Sequence, residues 1–124
     1  MNVEKFAEET FKIDPKLRYV GIVDNQYNIL LSEMREGVQS VTTEDQERRF
    51  VQIVPPIIVD AVEKLEPILG KVESIRVRYE KMVLVFFRME NLVVILSFDP
   101  DVPTPFGTSI SNAIGEVGAR YLTE

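Results

Sequence analysis

The sequence predicts an α+β fold in which helices cover both faces of a single five-stranded antiparallel sheet. Residues 72–79, 82–89 and 92–98 are rich in β-branched and aromatic side chains and are separated by the two-residue polar breaks Glu80-Lys81 and Glu90-Asn91. This spacing is typical of an antiparallel meander. The second and third of these strands are apolar at odd and even positions alike, whereas a half-solvated strand alternates. We therefore expect both faces of the sheet to be covered.

The register of the meander follows if both breaks are two-residue turns. One face then carries Glu73, Ile75, Val77, Tyr79, Met82, Leu84, Phe86, Arg88, Val93, Ile95 and Ser97. Glu73 lies opposite Arg88 in this register, which predicts a cross-strand ion pair. A three-residue second turn would change the facing residues across that turn. Residues 72–79 alternate because of Arg76 and Arg78, so we place this strand at an edge of the sheet.

The first third of the chain predicts a helix and a hairpin. Residues 2–12 have helical periodicity, and Asn2 can cap the helix. Residues 17–23 and 28–34 are apolar strands separated by a polar turn.

Residues 43–69 predict a long helix that contains two prolines. Thr43 and Gln46 match a capping box at its start. Pro55 and Pro56 cannot donate to the preceding carbonyls, which predicts a kink or a break into two helices.

The long helix carries two apolar rows, which is more than one contact with a sheet requires. The first consists of Phe50, Val54, Ile57, Ala61, Leu65 and Ile68, and the second of Val51, Ile58, Val62 and Leu69. The second row is either a surface for self-association or additional core.

The last element is a helix that begins near Thr104 and Pro105 and ends at about Leu122. The element order is then helix, two strands, long helix, three strands, helix. Placing the long helix on one face and the two terminal helices on the other covers the sheet completely.

Composition excludes several classes of function. The 124 residues form a single domain, residues 1–124, with a net charge of −6 that disfavours nucleic-acid binding. Cysteine and histidine are both absent, which removes disulfides, thiol catalysis, the usual zinc sites and histidine-based catalysis. No apolar run is long enough to span a bilayer, and the acidic start does not match a signal peptide. We expect a cytoplasmic protein with no catalytic residue, cofactor or metal.

Two candidate ligand sites have simpler explanations. Asp24, Asp99 and Asp101 could bind a divalent cation, but aspartates in solvated turns and helix caps explain them better. Residues 107–109 could hold an anion at the start of the last helix, although the lysine and glycines of a phosphate loop are missing.

Two segments and the order of elements resemble the roadblock domain, a relative of the longin and profilin-like folds. The segments are residues 13–24 (IDPKLRYVGIVD), which lead into the first hairpin, and residues 97–101 (SFDPD), which precede the last helix. Residues 11–24 together with residues 34–37 (MREG) are most similar to a family of small uncharacterised archaeal proteins. The roadblock resemblance implies a non-enzymatic dimer that acts as a platform for a small GTPase or a motor complex.

The sequence therefore predicts a homodimeric protein-interaction or scaffold module with a small GTPase-like partner. The expected interface combines the second helical row with the edge strand and consists of Val51, Ile58, Val62, Ile75, Arg76, Val77 and Arg78. The basic edge strand could alternatively bind an acidic peptide or a lipid head group, or simply keep the edge soluble. A second hypothesis is a ligand-sensing domain like the PAS and GAF modules, and a third is an enzyme that uses carboxylates alone. The ligand-sensing hypothesis requires a cavity, which Met82, Phe86, Phe87 and Met89 are expected to fill.

Overall fold

The order of elements along the chain is the predicted one with one short helix added. The structure is a computed structural model that describes residues 1–40, 42–101 and 108–123. The helices are α1 (Val3–Phe11), α2 (Glu44–Glu63), α3 (Glu66–Leu69) and α4 (Thr108–Tyr121). The strands are β1 (Leu17–Val23), β2 (Ile29–Met34), β3 (Ile75–Arg78), β4 (Val83–Met89) and β5 (Leu92–Phe98). The predicted start of the last helix at Thr104 and Pro105 lies outside the described residues.

The five strands form one antiparallel sheet in the order β2-β1-β5-β4-β3. The edge position of β3 and the register of the meander are both confirmed, since Phe86 pairs with Ile75 on one side and with Ile95 on the other. The strand β3 is shorter than predicted and leaves Glu73 outside the ladder. The expected ion pair between Glu73 and Arg88 is therefore wrong.

Arg88 instead pairs with α2. Its Nε donates to Glu63 Oε2 at 2.7 Å, and its Nη2 donates to Asp60 Oδ1 at 2.7 Å. The two acids lie three residues apart, so both face the end of β4 from the same side of the helix. Arg88 thus ties the carboxyl-terminal half of α2 to the sheet.

The face of the sheet beneath α1 and α4 carries the larger core. Its largest fully buried side chains include Phe6, Leu17, Leu96, Phe98 and Ile114. Gly118 of α4 has a packing reason, because a Cβ at this position would overlap Sδ of Met89. The hydrogen bond of Asn2 Oδ1 with the backbone N–H of Lys5 at 3.0 Å confirms the predicted cap of α1.

The other face is covered by α2. The capping box is confirmed, since Thr43 Oγ1 accepts from the Gln46 N–H at 3.1 Å and Gln46 Oε1 accepts from the Thr43 N–H at 3.0 Å. Of the two outcomes predicted at Pro55 and Pro56, a break does not occur, because α2 continues through both residues to Glu63. Both rings are buried, and their packing offsets the missing hydrogen-bond donors.

Candidate functional site

Six apolar side chains in the segment that includes α2 and α3 are exposed to solvent. We call Ile53, Ile57, Val62, Leu65, Ile68 and Leu69 the α2 surface, and each is at least 43% exposed. Scattered exposed apolar residues are normal, whereas a concentration of them along one segment makes that segment a candidate interaction site. Six of the nine large apolar residues that are exposed in the described part of the chain belong to the α2 surface.

In the structure, the face of α2 that contacts the sheet is not the one that the sequence predicted. The row facing the sheet is Val51, Pro55 and Val59, whereas Ile57 and Leu65, expected to face inward, are exposed. The missed signal was Pro55, which extends the row of Val51 by one helical turn once proline is counted as an apolar residue.

The predicted interface residues are distributed over the core and the surface. Val51 is 3% exposed and belongs to the core beneath α2, so it is not part of the α2 surface. Ile58, Ile75 and Val77 are half-buried and pack against the same core. Val62 is exposed and belongs to the α2 surface. Arg76 is half-buried, and the exposed Arg78 donates from Nη2 to the carbonyl of Pro100. The interface itself stays a prediction.

The edge strand β3 pairs with β4 along one side only, within the residues that the structure describes. An edge strand of this kind can pair with a strand of another chain. Half-buried side chains of β3 join the core beneath α2, so this edge and the α2 surface lie on connected elements.

A groove of about 750 Å³ lies between the sheet and the amino-terminal half of α2. Its apolar lining is Met34, Phe50, Val51, Met82, Leu84 and Ile95. This volume is within the range of small-molecule sites, which is about 300–1,000 Å³. The groove is open to solvent, so the expectation that bulky side chains fill an internal cavity stays a prediction. Phe86 is buried in the core, whereas Met82 borders the groove instead of filling it.

The polar lining of the groove includes Tyr19, whose hydroxyl lies 2.9 Å from Ser32 Oγ. Burial raises the pKa of Tyr19 to about 12, the charge of Glu47 raises it further, and the hydrogen bond with Ser32 acts in the opposite direction. The Tyr19 hydroxyl is therefore neutral at physiological pH.

Arg18 reaches the groove through an irregularity in the sheet. Leu17 pairs with Phe98 and Tyr19 pairs with Ser97, so Arg18 is an extra residue in the ladder, as in a β-bulge. Its Nη1 donates to Asp99 Oδ1 at 2.7 Å and its Nη2 donates to the Gln39 carbonyl at 3.1 Å.

The aspartates considered as cation ligands have other roles. Asp99 pairs with Arg18, and Asp101 pairs with Lys16 at 3.0 Å. Asp24 accepts hydrogen bonds in its own turn from Asn28 and Gln26, and these bonds lower its pKa although burial acts to raise it. Among the described residues no group of three or more acidic side chains is arranged to hold a metal ion. The candidate anion site consists of residues 107–109. Gly107 and the side chains of residues 108 and 109 lie outside the part of the chain that the structure describes.

No sequence model of a known family matches the chain, and no curated protein is similar enough to match. Solved structures do match. The gliding protein MglB from Thermus thermophilus is 20% identical, with a TM-score of 0.63 over 95% of this chain and 88% of that one. The Roadblock/LC7 domain from Streptomyces avermitilis is 5% identical, with a TM-score of 0.71 over 97% of this chain and 94% of that one. The fold is roadblock-like.

A further roadblock-like structure is of MglB with a tetrameric arrangement. It is 20% identical, with a TM-score of 0.63 over 95% of this chain and 88% of that one. The predicted fold class is thus confirmed. Within the described residues, no helix combines the length and the apolar content needed to cross a membrane.

Proposed function

We propose that this chain is a non-catalytic interaction module that forms a homodimer, and that the dimer is a scaffold for a small GTPase or a similar protein partner. The single observation that carries the proposal is the α2 surface. A monomer gains nothing from exposing Ile57 and Leu65, each more than half exposed, whereas association would remove them from water.

The position of the edge strand supports a two-fold arrangement. Antiparallel pairing of β3 with its copy would extend the sheet across the dimer and bring α2 beside its copy on the same face. Ile58, Val62, Ile75, Arg76, Val77 and Arg78 would then lie at or near the interface. The tetrameric arrangement of one MglB structure supports association among proteins of this fold.

The GTPase partner rests on the roadblock resemblance of residues 13–24 and 97–101 together with the roadblock-like fold. The absence of histidine and cysteine supports a role without catalysis. We also propose that residues 1–124 act as one domain in the cytoplasm, without nucleic acid, cofactor or metal. We also propose that the relatives most similar to this chain in residues 11–24 and 34–37 are small archaeal proteins.

Sedimentation velocity tests the association with one variant. We expect the wild-type chain to sediment as a dimer and Ile57→Lys to sediment as a monomer, because a lysine would have to be desolvated in the contact. The midpoint of urea unfolding at low protein concentration should stay unchanged, since Ile57 is 53% exposed within the monomer.

The matched control is Asn112→Lys, which adds the same charge at an exposed position of α4 on the other face of the sheet. It should remain a dimer. A wild-type chain that is strictly monomeric at high concentration would contradict the homodimer, and so would dimerisation that Ile57→Lys leaves intact.

Binding of the partner is measured separately, by calorimetric titration of the chain with purified small GTPases loaded with GDP or with a non-hydrolysable GTP analogue. Binding that depends on the nucleotide supports the scaffold proposal. The absence of binding in both nucleotide states would contradict the GTPase partner. It would not bear on the homodimer, which sedimentation velocity tests.

A second candidate function, sensing of a small ligand, is favoured by the groove between the sheet and α2.

A further inference from the structure

The outer edge of β3 has its own set of backbone hydrogen-bonding groups. The Tyr79 N–H donates to the Met82 carbonyl at 2.8 Å, and the register of β3 with β4 continues from this pair. Because backbone groups alternate in direction along an antiparallel strand, those of Ile75 point to β4 and those of Arg76 and Arg78 point away from it. A strand of a second copy would therefore bond to the two arginines.

The side chains of both arginines lie on one face of the sheet. Arg76 pairs with Val85 and Arg78 pairs with Val83, and both valines belong to the core beneath α1 and α4. In a two-fold antiparallel pair, one residue lies opposite its own copy, and residues at equal distances on its two sides lie opposite each other. The register therefore decides which residue of the second copy each arginine faces.

Like charges directly opposite each other destabilise a sheet, and this disfavours most registers of β3. With either arginine opposite its own copy, two arginines face each other. With Val77 at that position, Arg76 faces Arg78 of the second copy, and the symmetry repeats this pair. With Ile75 at that position, Arg76 faces Ser74 of the second copy, whose hydroxyl can accept a hydrogen bond.

The position of α2 favours the same register. Arg88 follows the partner of Ile75 in β4 by two positions, and it donates to Asp60 and Glu63 of α2, both at 2.7 Å. The carboxyl-terminal half of α2 thus lies at the end of the sheet where β3 begins. Moving the axis from Ile75 to Val77 would separate the two copies of this half by a further distance of about 13 Å, at about 3.3 Å for each of four residues.

We propose that a second copy of this chain pairs with β3 in the register that places Ile75 opposite its own copy. The two Ile75 side chains meet on the face of α2, beside the core that they already contact. Their Cα atoms lie about 4.5 Å apart, because a pair whose backbone groups point away from each other is the closely spaced one. This inference rests on the homodimer proposed above and adds the residue at its two-fold axis.

Single cysteines test the register, since the chain contains no cysteine. A disulfide requires Cα atoms about 4.4–6.8 Å apart, so only a residue that faces its own copy forms one across the axis. We expect Ile75→Cys to form a disulfide-linked dimer at least about tenfold faster than Val77→Cys in oxidised glutathione, as measured on non-reducing gels. Val77→Cys is the matched control, because Val77 is half-buried on the same face of the same strand. Arg76→Cys tests the register centred on Arg76.

The outcomes separate the register from the homodimer. Faster cross-linking at Val77 or Arg76 than at Ile75 would overturn the register. Equally slow cross-linking at all three positions, with a wild-type chain that sediments as a dimer, would overturn the pairing of β3 and leave the homodimer standing. A monomeric wild-type chain would overturn both.

A second measurement uses the wild-type chain and does not depend on the folding of a cysteine variant. In a sample mixed from equal amounts of isotope-labelled and unlabelled chain, filtered nuclear Overhauser spectra detect only contacts between copies. We expect a contact between the Ile75 methyl groups of the two copies. A contact between the two copies of Val77 without one at Ile75 would contradict the register.

Discussion

The two faces of the sheet are covered to different extents. Beneath α1 and α4 the core is continuous, and Phe6, Leu96 and Phe98 are completely buried. Beneath α2 the core is smaller and is bordered by a groove of about 750 Å³. The segment from α2 to α3 also exposes the apolar residues of the α2 surface.

Simple dimensions explain this difference. Five strands about 4.8 Å apart span about 19 Å between the outer strands, whereas a helix with its side chains is about 10–12 Å wide. Two helices side by side cover such a sheet and one helix does not. The face with a single helix therefore has room for a ligand or a partner. We call it the open face, and we call the face beneath α1 and α4 the closed face.

The largest expected effect on stability comes from substituting one leucine on each face of the sheet. Leu96, completely buried beneath α1 and α4, and Leu84, 9% exposed at the groove, lie on neighbouring strands and allow the same substitution. We expect Leu96→Ala to lower the free energy of unfolding by about 4–5 kcal/mol, and Leu84→Ala by about 2–3 kcal/mol, because the second site already borders open space. Urea denaturation monitored by circular dichroism gives both values.

Each leucine variant serves as the control for the other, since the chemistry of the substitution is identical. Equal losses would mean that the groove is closed in solution, and a larger loss at Leu84 would contradict the comparison of the two faces.

The closed face and the sheet were largely predictable from the sequence. The strand pattern of residues 82–98 is apolar on both faces, and this settles the meander, its register and the need for cover on both sides. Local capping signals at Asn2 and Thr43 were equally informative. These features depend on neighbouring residues, and so periodicity and propensity are sufficient to predict them.

The open face was not predictable to the same extent, because α2 is apolar around most of its circumference. Its rotation decides whether Val51 or Ile57 faces the sheet, and several rows satisfy the same periodicity. The groove depends on tertiary distance between α2 and the sheet, which has no counterpart in the spacing of residues. The position of Arg18 at the groove depends on a β-bulge, and no residue pattern in the sequence predicts this bulge.

The second prediction uses the ionisation of Tyr19 to probe the open face. Its pKa is raised to about 12 from 10.0, mainly by burial, so the folded state retains the proton longer than the unfolded chain. The stabilisation that this gives is fully present below pH 10 and is lost as the pH rises through about 12. We expect the free energy of unfolding to fall by up to about 1.4 kcal/mol per pH unit in that interval, and Tyr19→Phe to remove this part of the slope.

The difference between the ultraviolet absorbance titrations of wild type and Tyr19→Phe isolates this hydroxyl, with an expected midpoint near pH 12. A midpoint near pH 10 would show that water enters the groove freely around Tyr19, and the open face would then be more solvated than its burial suggests.

The smallest effects on stability are expected from substituting two arginines, one on each side of the sheet. Arg35 belongs to the closed side, where Nε donates to the Leu17 carbonyl at 2.6 Å and Nη2 donates to the carbonyls of Phe11 and Asp14, both at 2.7 Å. These bonds hold the segment that connects α1 to β1, and Arg35→Met should cost about 2 kcal/mol because it leaves part-buried carbonyls without donors.

Arg88 on the open side should matter less. Its acidic partners remain partly in water, with the Asp60 side chain 60% exposed, so water replaces the arginine when it is removed. We expect Arg88→Met to cost less than about 1 kcal/mol in urea denaturation. A loss at Arg88 as large as that at Arg35 would mean that its ion pairs are what holds α2 on the sheet. The incomplete cover of this face would then depend on two carboxylates rather than on the packing of Val51, Pro55 and Val59.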